Sequence, residues 1–328
     1  MIKKVFVHCL LPEEEKRKLG KFFSVKFHNA DKKILSTEEL IKEASGYDAL
    51  IVQGNLLEKA FIEKNKSFLK AISNVAVGFD NIDIKTASKY KIPVFNTPNV
   101  LDAAVADLAI GLLISVTRKI CEGYSFVKKK KWKNNSWPLF WGEDFYKESL
   151  GIVGLGNIGK EISKRALGFG FKISYYNRNK LASKLEKKLN VNYLEFEDLL
   201  KLCKYIILTL PLNRESKYLF NKKAFNKMRK DSFLVNVARG KIVKEKDLVD
   251  ALEDKKIMGA ALDVFENEPK INNKLYKLKN VVLLPHMGSA TKKTRNEMMK
   301  LACDNLINYV FKNNLENLVN KEIFSEEI

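Results

Sequence analysis

Short apolar runs alternate with polar, helix-forming stretches along most of the chain. In the first hundred residues the apolar runs predict four strands, at Lys4–His8, Ala49–Gln53, Ile72–Val77 and Pro93–Phe95. The polar stretches between them predict helices at Pro12–Phe22, Thr37–Ala44 and Ile84–Tyr90. Because strands that alternate with helices usually form a parallel sheet, we expect an α/β fold.

The same alternation resumes near residue 150. Six further strands are predicted there, at Leu150–Val153, Lys172–Tyr176, Tyr205–Leu210, Ser232–Val237, Gly259–Val264 and Asn280–Leu284. The chain of 328 residues is therefore expected to build a second parallel sheet with its own core.

Three segments depart from this alternation. An apolar stretch predicts a long helix that Asn99 caps and that reaches about Thr117. The stretch Lys128–Lys147 is polar and aromatic, and it is predicted to be a loop. An amphipathic helix is predicted from Thr291 to about Phe311.

The formal net charge of +20 narrows the choice of partners. The basic residues are mostly lysines spread along the chain, and the one dense run is Lys128–Lys133. Nucleic-acid-binding proteins usually concentrate charge on one face, with arginines at the bases. We therefore expect no nucleic acid partner, and a positive field that attracts small anions.

Cysteines and apolar runs exclude other classes. The four cysteines, Cys9, Cys121, Cys203 and Cys303, lie far apart, so neither a metal site nor a disulfide framework is expected. The apolar stretch Val100–Val116 is interrupted by acidic residues, so no membrane span is expected. The first residues do not resemble a signal peptide, which predicts a cytoplasmic protein.

A glycine motif carries the clearest chemical signal. Gly154, Gly156 and Gly159 follow an apolar strand and open a helix, in the spacing GxGxxG. Such glycines permit a tight turn, a close approach of the backbone to a pyrophosphate, and close packing of helix on strand. The helix N-terminus would then bind the phosphates of a dinucleotide.

The end of the next strand bears on which dinucleotide is preferred. An acidic residue there would bind the ribose hydroxyls of NAD and repel a 2′-phosphate. This chain instead carries Asn177, Arg178 and Asn179. A charge-assisted hydrogen bond from Arg178 to the phosphate would contribute about 1.5–3 kcal/mol. We therefore expect NADP(H) to be preferred, with NAD(H) also possible.

Polar residues follow three successive predicted strands, where open α/β sheets bind their ligands. Arg239 follows the first, Asp263 and Glu268 follow the second, and His286 follows the third. Considered singly, Arg239 could form a structural ion pair, Glu268 could be a solvated acid and His286 an ordinary turn residue. The other two histidines, His8 and His28, are expected to have structural roles or to lie on the surface.

Together these residues suit the reduction of a 2-keto acid. Arg239 can hold the carboxylate and the ketone oxygen with its planar donors. His286 can protonate the oxygen as the hydride arrives from a nicotinamide, and Glu268 can orient and charge the imidazole. Asp263 could fix the nicotinamide amide or tune the same network.

Six motifs carry a resemblance to a known family. They are VGFDNID (77–83), TPNVLDAAVADLAIGLL (97–113), GLGNIG (154–159), NVARG (236–240), GAALDVFENEP (259–269) and LPHMGSAT (284–291). Over nearly its whole length the chain resembles the D-isomer-specific 2-hydroxyacid dehydrogenases. Within the family it looks most like the glyoxylate/hydroxypyruvate reductase branch.

The resemblance implies an architecture and a set of site residues. It implies two Rossmann-like domains with parallel sheets: a discontinuous substrate domain (1–99 and 286–328) and a cofactor domain (100–285). It also implies a homodimer, a substrate carboxylate on the backbone of Val77 and Gly78, and a catalytic triad. The triad falls on Arg239, Glu268 and His286. Further cofactor contacts fall on Leu155, Asn157, Ile158, Pro211, Val237 and Gly288.

Several alternatives remain open from the sequence. The substrate could be a bulkier 2-keto acid, such as hydroxyphenylpyruvate or 2-ketogluconate. The protein could sense a dinucleotide without turnover, or bind nucleic acid through Lys128–Lys133. The tryptophans Trp132, Trp137 and Trp141 either anchor their loop on its own domain or a dimer partner, or contact the substrate.

Overall fold

The computed structural model describes residues 2–28, 33–134 and 137–324. The chain divides into two compact units, one formed by Met1–Leu101 with Ala290–Ile328 and the other by Asp102–Ser289. These bounds differ from the expected domain segments by a few residues at each junction. One difference concerns chemistry, because His286 lies in the second unit together with Glu268 and Arg239.

The first unit contains a five-stranded parallel sheet in the order β2-β1-β3-β4-β5. Its elements in chain order are β1 (Lys4–His8), α1 (Glu13–Gly20), β2 (Ser24–Phe27), α2 (Thr37–Glu43), β3 (Ala49–Val52), α3 (Lys59–Asn65), β4 (Ala71–Asn74), α4 (Ile84–Lys89) and β5 (Val94–Phe95). The central strands β3 and β4 are fully buried, which explains why the sequence of β3, ALIV, is an apolar run without alternation.

The second unit contains a seven-stranded parallel sheet in the order β12-β11-β10-β9-β6-β7-β8. Its elements are α5 (Asp102–Thr117), α6 (Ile120–Lys128), β6 (Ser149–Val153), α7 (Asn157–Gly168), β7 (Lys172–Tyr176), α8 (Ser183–Leu189), β8 (Val191–Tyr193), α9 (Phe196–Leu202), β9 (Tyr205–Leu208), α10 (Lys222–Lys227), β10 (Phe233–Asn236), α11 (Glu245–Glu253), β11 (Gly259–Leu262) and β12 (Val281–Leu283). The strand order reverses between β6 and β9, which is where doubly wound sheets bind ligands.

The last helix, α12 (Lys292–Lys312), returns to the first unit and packs on its sheet. The hydroxyl of Ser73 in β4 donates to the carbonyl of Ala302 in α12 at 2.8 Å. Further along, Asn320 accepts from the N–H of Val94 at 2.9 Å. These contacts make the first unit discontinuous in sequence.

The expectation of an α/β fold with two parallel sheets is confirmed. Every predicted strand is present within a few residues of its expected bounds. The predicted cap at Asn99 is wrong, since α5 begins at Asp102 and Asn99 takes a left-handed φ of 67°. Strands β2 and β8 and helices α3 and α6 are not among the predicted elements.

The structure bears on three features: membrane-spanning helices, metal sites and disulfide bonds. Among the described residues, no helix combines the length and apolarity that crossing a membrane requires. Within those same residues, no group of three metal-ligating side chains could hold an ion. The four cysteines are free thiols, and Cys9, Cys203 and Cys303 are buried.

Candidate active site

The glycine turn between β6 and α7 has the form that a dinucleotide requires. Gly154 has a φ of 103°, and a Cβ there would lie 2.7 Å from the backbone nitrogen of Leu210. A Cβ on Gly159 would lie 2.6 Å from the carbonyl oxygen of Gly154, so helix and strand touch at this point. A Cβ on Gly156 would meet nothing within 4 Å, which leaves open space above the helix N-terminus. A pyrophosphate fits this arrangement, because first-turn N–H groups have no partner within a helix.

Neighbouring strands hold the glycine turn on both sides. The N–H of Gly154 donates to the carbonyl of Tyr176 at the end of β7, at 2.9 Å. On the other side, the hydroxyl of Thr209 after β9 donates to the carbonyl of Gly154 at 2.5 Å. The turn is therefore positioned by three adjacent strands before any ligand binds.

The residues expected to contact the adenosine end lie around this turn. The side-chain oxygen of Asn177 accepts from the N–H of Leu155 at 2.6 Å, so Asn177 supports the turn itself. Arg178 is exposed and pairs with the carboxylate of Glu215 at 3.3 Å. Asn179 and Pro211 are exposed beside them.

Other predicted cofactor contacts differ in burial. The side chain of Leu155 is buried, so only its backbone can face a ligand. Asn157 is exposed and hydrogen-bonds the carboxyl of Asp102. Burial nevertheless raises the pKa of Asp102, since it outweighs that bond. Ile158 is half-buried, and Val237 is buried at the end of β10.

The three predicted catalytic residues follow three strands that are neighbours in the sheet. Arg239 follows β10, Glu268 lies in the loop after β11, and His286 follows β12. Parallel strands place their carboxyl ends at one edge, so the sheet gathers these side chains from distant parts of the sequence.

Glu268 and His286 are in direct contact. The Nδ1 of His286 lies 2.7 Å from Oε2 of Glu268, and Oε1 of Glu268 accepts from the N–H of Phe265 at 2.9 Å. Burial by itself would raise the pKa of Glu268. The bond and charge of His286, the Phe265 N–H and the charge of Arg239 outweigh it, so the pKa of Glu268 is lowered. The pair is therefore a carboxylate in contact with an imidazole.

Asp263 holds the backbone of the histidine turn. Its carboxylate accepts from the N–H of Met287 and from the N–H of Gly288, each at 2.8 Å. The carbonyl of Asp263 accepts from the N–H of His286, also at 2.8 Å. His286 takes a left-handed φ of 50°, which is uncommon for a residue with a side chain. Burial raises the pKa of Asp263, against the lowering effect of these N–H groups.

The loop that carries Arg239 is held by Asn236, which is not among the predicted site residues. Asn236 accepts from the N–H of Ala238 and donates to the carbonyl of Arg239, both at 3.0 Å. The guanidinium of Arg239 donates to the carbonyl of Ala238 at 2.7 Å. The Asn at the start of the NVARG motif was the available signal, because asparagine favours such local turns.

Val77 and Gly78, the expected substrate contacts, lie in the first unit after β4. The carbonyl of Val77 accepts from the side chain of Asn96 at 2.8 Å, and that of Gly78 accepts from Asn74 at 3.0 Å. Both carbonyls are therefore fixed by asparagine amides. The expected contact of this segment with a substrate carboxylate stays a prediction.

The tryptophan-rich loop leaves more than half of each indole side chain exposed. The side chains of Trp132, Trp137 and Trp141 are all exposed. The indole N–H of Trp141 donates to the carbonyl of Trp137 at 3.0 Å. Three interpretations of these rings therefore stay predictions: an anchor on their own domain, a contact with a dimer partner and a contact with the substrate.

Comparison with known proteins identifies the family. The family model for the D-isomer specific 2-hydroxyacid dehydrogenase, NAD binding domain, matches residues 110–288. The chain belongs to the D-isomer-specific 2-hydroxyacid dehydrogenase family. Membership makes it an NAD(P)-dependent oxidoreductase, as the glycine turn and the strand-end residues predicted.

Relatives place the chain near one branch of this dehydrogenase family. A glyoxylate reductase of Pyrococcus horikoshii is 41% identical over 325 residues, covering 98% of this chain and 96% of that protein. The glyoxylate/hydroxypyruvate reductase B of an Enterobacter species is 36% identical over 324 residues, covering 97% and 98%. The predicted resemblance to the glyoxylate/hydroxypyruvate reductase branch is confirmed.

A solved structure is similar over nearly the whole dehydrogenase chain. It is the NADPH-dependent glyoxylate/hydroxypyruvate reductase of Sinorhizobium meliloti in complex with NADP and malonate. The TM-score is 0.87 at 28% identity, and the match covers 97% of each chain. The prediction of two Rossmann-like domains is thereby confirmed, as is a nicotinamide dinucleotide cofactor.

Proposed function

We propose that this dehydrogenase reduces small 2-keto acids, glyoxylate and hydroxypyruvate first, to the corresponding 2-hydroxy acids. The observation that carries the proposal is the 2.7 Å contact between His286 Nδ1 and Glu268 Oε2, beside the charge of Arg239. The names of the relatives in the glyoxylate/hydroxypyruvate reductase branch support the choice of substrate.

The residues of the second unit divide the chemistry between them. Arg239 binds the ketone oxygen and the carboxylate of the substrate through its planar donors. A bound nicotinamide supplies the hydride that the ketone carbon accepts. Nδ1 of His286 faces Glu268, so the transferable proton lies on Nε2 and passes to the ketone oxygen as its negative charge develops. Glu268 keeps the imidazole oriented through its 2.7 Å contact with Nδ1.

The two units take separate roles in this proposal. The first unit, 1–101 with 290–328, binds the substrate carboxylate through the backbone at Val77 and Gly78. The second unit, 102–289, binds the dinucleotide at the glycine turn and supplies the catalytic triad. Asp263 positions the histidine turn, because its carboxylate accepts from the N–H groups of residues 287 and 288.

NADP(H) is the preferred cofactor in this proposal, with NAD(H) also accepted. The support is the absence of a carboxylate from residues 176–180 together with the exposed guanidinium of Arg178. The Sinorhizobium relative is described as NADPH-dependent, which agrees with this preference. Asn177, which supports the turn, lacks the negative charge that would repel a 2′-phosphate.

The protein acts as a homodimer in the same proposal. Helix α6 presents Ile120, Tyr124 and Val127 on one face, and all three side chains are exposed in the single chain. The tryptophans of the following loop are exposed as well. Apolar rings and aliphatic side chains clustered in this way are typical of surfaces that another chain covers.

An absorbance assay of reduced-nicotinamide oxidation tests the proposal. Purified protein is mixed with NADPH or NADH and with glyoxylate, hydroxypyruvate, hydroxyphenylpyruvate or 2-ketogluconate. We expect the highest kcat/KM for NADPH with glyoxylate or hydroxypyruvate. Faster turnover of the bulky acids would overturn the choice of substrate, and a clear NADH preference would overturn the choice of cofactor. Dinucleotide binding without turnover of any acid would favour the sensing alternative.

A further inference from the structure

One ion pair joins two loops that flank the glycine turn. Arg178 lies just after β7, and Glu215 lies in the segment after β9. Strand β6, which ends in the glycine turn, runs between β7 and β9 in the sheet. The contact of 3.3 Å between the guanidinium and the carboxylate therefore links the two sides of the turn.

The backbones that carry these two side chains are firmly placed. Asn177, the residue before Arg178, accepts from the N–H of Leu155 in the turn. Glu215 sits in a turn closed by Asn213, whose side-chain oxygen accepts from the N–H of Glu215 at 2.9 Å. The hydroxyl of Ser216 donates to the carbonyl of Pro211 at 2.7 Å and closes the same loop. Folding thus brings the two charges together without help from a ligand.

The ion pair is exposed, so Arg178 can exchange Glu215 for another anionic partner. The side chains of Arg178 and Glu215 are 74% and 70% exposed, respectively. Exposed ion pairs contribute little to folding stability, so stability alone does not account for a carboxylate at this place. The guanidinium is also the group that a phosphate would bind with two parallel hydrogen bonds.

We propose that Glu215 is a specificity residue that competes with the 2′-phosphate of NADPH for the guanidinium of Arg178. This inference rests on the proposed use of NADPH. When a 2′-phosphate binds Arg178, the carboxylate of Glu215 loses its partner and lies near a second anion, which costs affinity. NADH carries no such phosphate, so its binding leaves the ion pair intact. Glu215 therefore narrows the preference for NADPH and lets the protein accept both cofactors.

The test is the substitution Glu215→Gln, which removes the charge and keeps the shape. Calorimetry with adenosine 2′,5′-bisphosphate and with ADP reads affinity directly, without turnover. We expect about three- to fivefold tighter binding of the bisphosphate, in line with the strength of an exposed ion pair. The affinity for ADP should remain unchanged. In steady-state kinetics, KM for NADPH should fall, whereas both kcat and KM with NADH should stay at their wild-type values.

Two further variants complete the test. Glu253→Gln removes the same charge from a comparable exposed pair with Lys274, at the end of α11, and should change neither affinity. In an Arg178→Gln background, Glu215→Gln should have a smaller effect, because the contested guanidinium is gone.

The outcomes separate this inference from the proposed function. If the wild type reduces 2-keto acids and binds both nucleotides, but Glu215→Gln leaves their affinity ratio unchanged, the role of Glu215 is refuted alone. Equal tightening of both nucleotides would also refute it, since the effect would then be general charge. If the wild type binds neither nucleotide, the proposed function fails as well.

Discussion

Gly240 and Phe265 touch through their backbones: a Cβ added to Gly240 would lie 1.8 Å from the carbonyl oxygen of Phe265. Gly240 directly follows Arg239, and the N–H of Phe265 donates to Glu268. The two loops that carry the guanidinium and the carboxylate are thus in direct contact, and a side chain at residue 240 would force them apart.

Gly240→Ala should therefore damage both folding and catalysis. The obstacle is backbone, which cannot rotate away, so we expect a loss of roughly 3 kcal/mol or more in the free energy of unfolding. Gly168→Ala is the matched control, because a Cβ there meets nothing within 4 Å at the end of α7. Thermal unfolding should show Gly168→Ala slightly stabilised, by about 0.5–1 kcal/mol. A Gly240→Ala protein as stable as the wild type would contradict the close contact.

His286→Ala should lower turnover far more than dinucleotide affinity. The imidazole is the proposed proton donor, and loss of a general acid commonly costs about 10²- to 10⁴-fold in rate. Steady-state kinetics gives kcat, and calorimetry gives the affinity for NADPH. His28→Ala is the control, since His28 stacks on His8 in the first unit and should be dispensable. Equal losses in rate and in affinity would count against the role of His286.

Glu268→Gln should lower kcat of the reduction. The Glu268 carboxylate makes a charge-assisted hydrogen bond to Nδ1 of His286, and a neutral glutamine would hold the ring less firmly. We expect kcat to fall by about tenfold, which corresponds to about 1.4 kcal/mol. Steady-state kinetics of the reduction measures this loss.

The same variant also tests a linkage. The pKa of Glu268 is lowered, so its charged form stabilises the fold above the ordinary glutamate pKa, and this benefit is lost as the pH falls through the lowered value. The stability difference between wild type and Glu268→Gln should shrink in acid. Glu197→Gln, whose carboxylate pairs with Lys227, is the control and should leave kcat unchanged.

Asp263→Asn should disturb the histidine turn. An asparagine offers one acceptor oxygen in place of two, so one of the N–H groups of Met287 and Gly288 loses its partner. We expect kcat to fall while KM for the dinucleotide changes less. Burial raises the pKa of Asp263, so the wild type should lose stability relative to the variant as the pH rises through the acid range. Thermal unfolding between pH 3 and about pH 7 measures this difference.

Val127→Glu on α6 should weaken the proposed dimer. Val127 is exposed in the single chain, on the same face of α6 as Tyr124. The introduced carboxylate would therefore be buried only in a dimer whose second chain covers this face, and burial of an unpaired charge weakens association. Sedimentation velocity should show a dimer for the wild type and a larger monomer fraction for the variant. Leu202→Glu, at an exposed apolar residue that ends α9, should remain dimeric. A monomeric wild type at micromolar concentration would refute the dimer.

The elements that could be predicted from the sequence are those whose burial requires apolar residues. Strands such as β6 and β10 are buried on both faces, so their apolar runs identified them. The missed strand β2 lies at a sheet edge and has no buried side chain, and β8 spans only three residues. Helix α6 buries none of its residues in the single chain, so its pattern does not indicate what covers it.

Some contacts in the candidate active site could likewise be predicted from the sequence, and others could not. The spacing of Gly154, Gly156 and Gly159 carries its own steric meaning and could be predicted, as could the contact of Glu268 with His286 across two strand ends. The pairing of Arg178 with Glu215 could not, since it depends on two loops 37 residues apart meeting over one turn. The hydrogen bond from the N–H of Leu155 to the side chain of Asn177 could not be predicted for the same reason. A side-chain oxygen can accept from any N–H group that the folded chain brings near it.

Two different acids act on His286. Glu268 touches the ring, whereas Asp263 touches only the backbone on either side of it. The hydrogen bond to the ring and the hydrogen bonds to the surrounding backbone are consequently made by two different side chains. A substitution of Glu268 can therefore change what the imidazole contacts while Asp263 still holds the backbone turn that carries it.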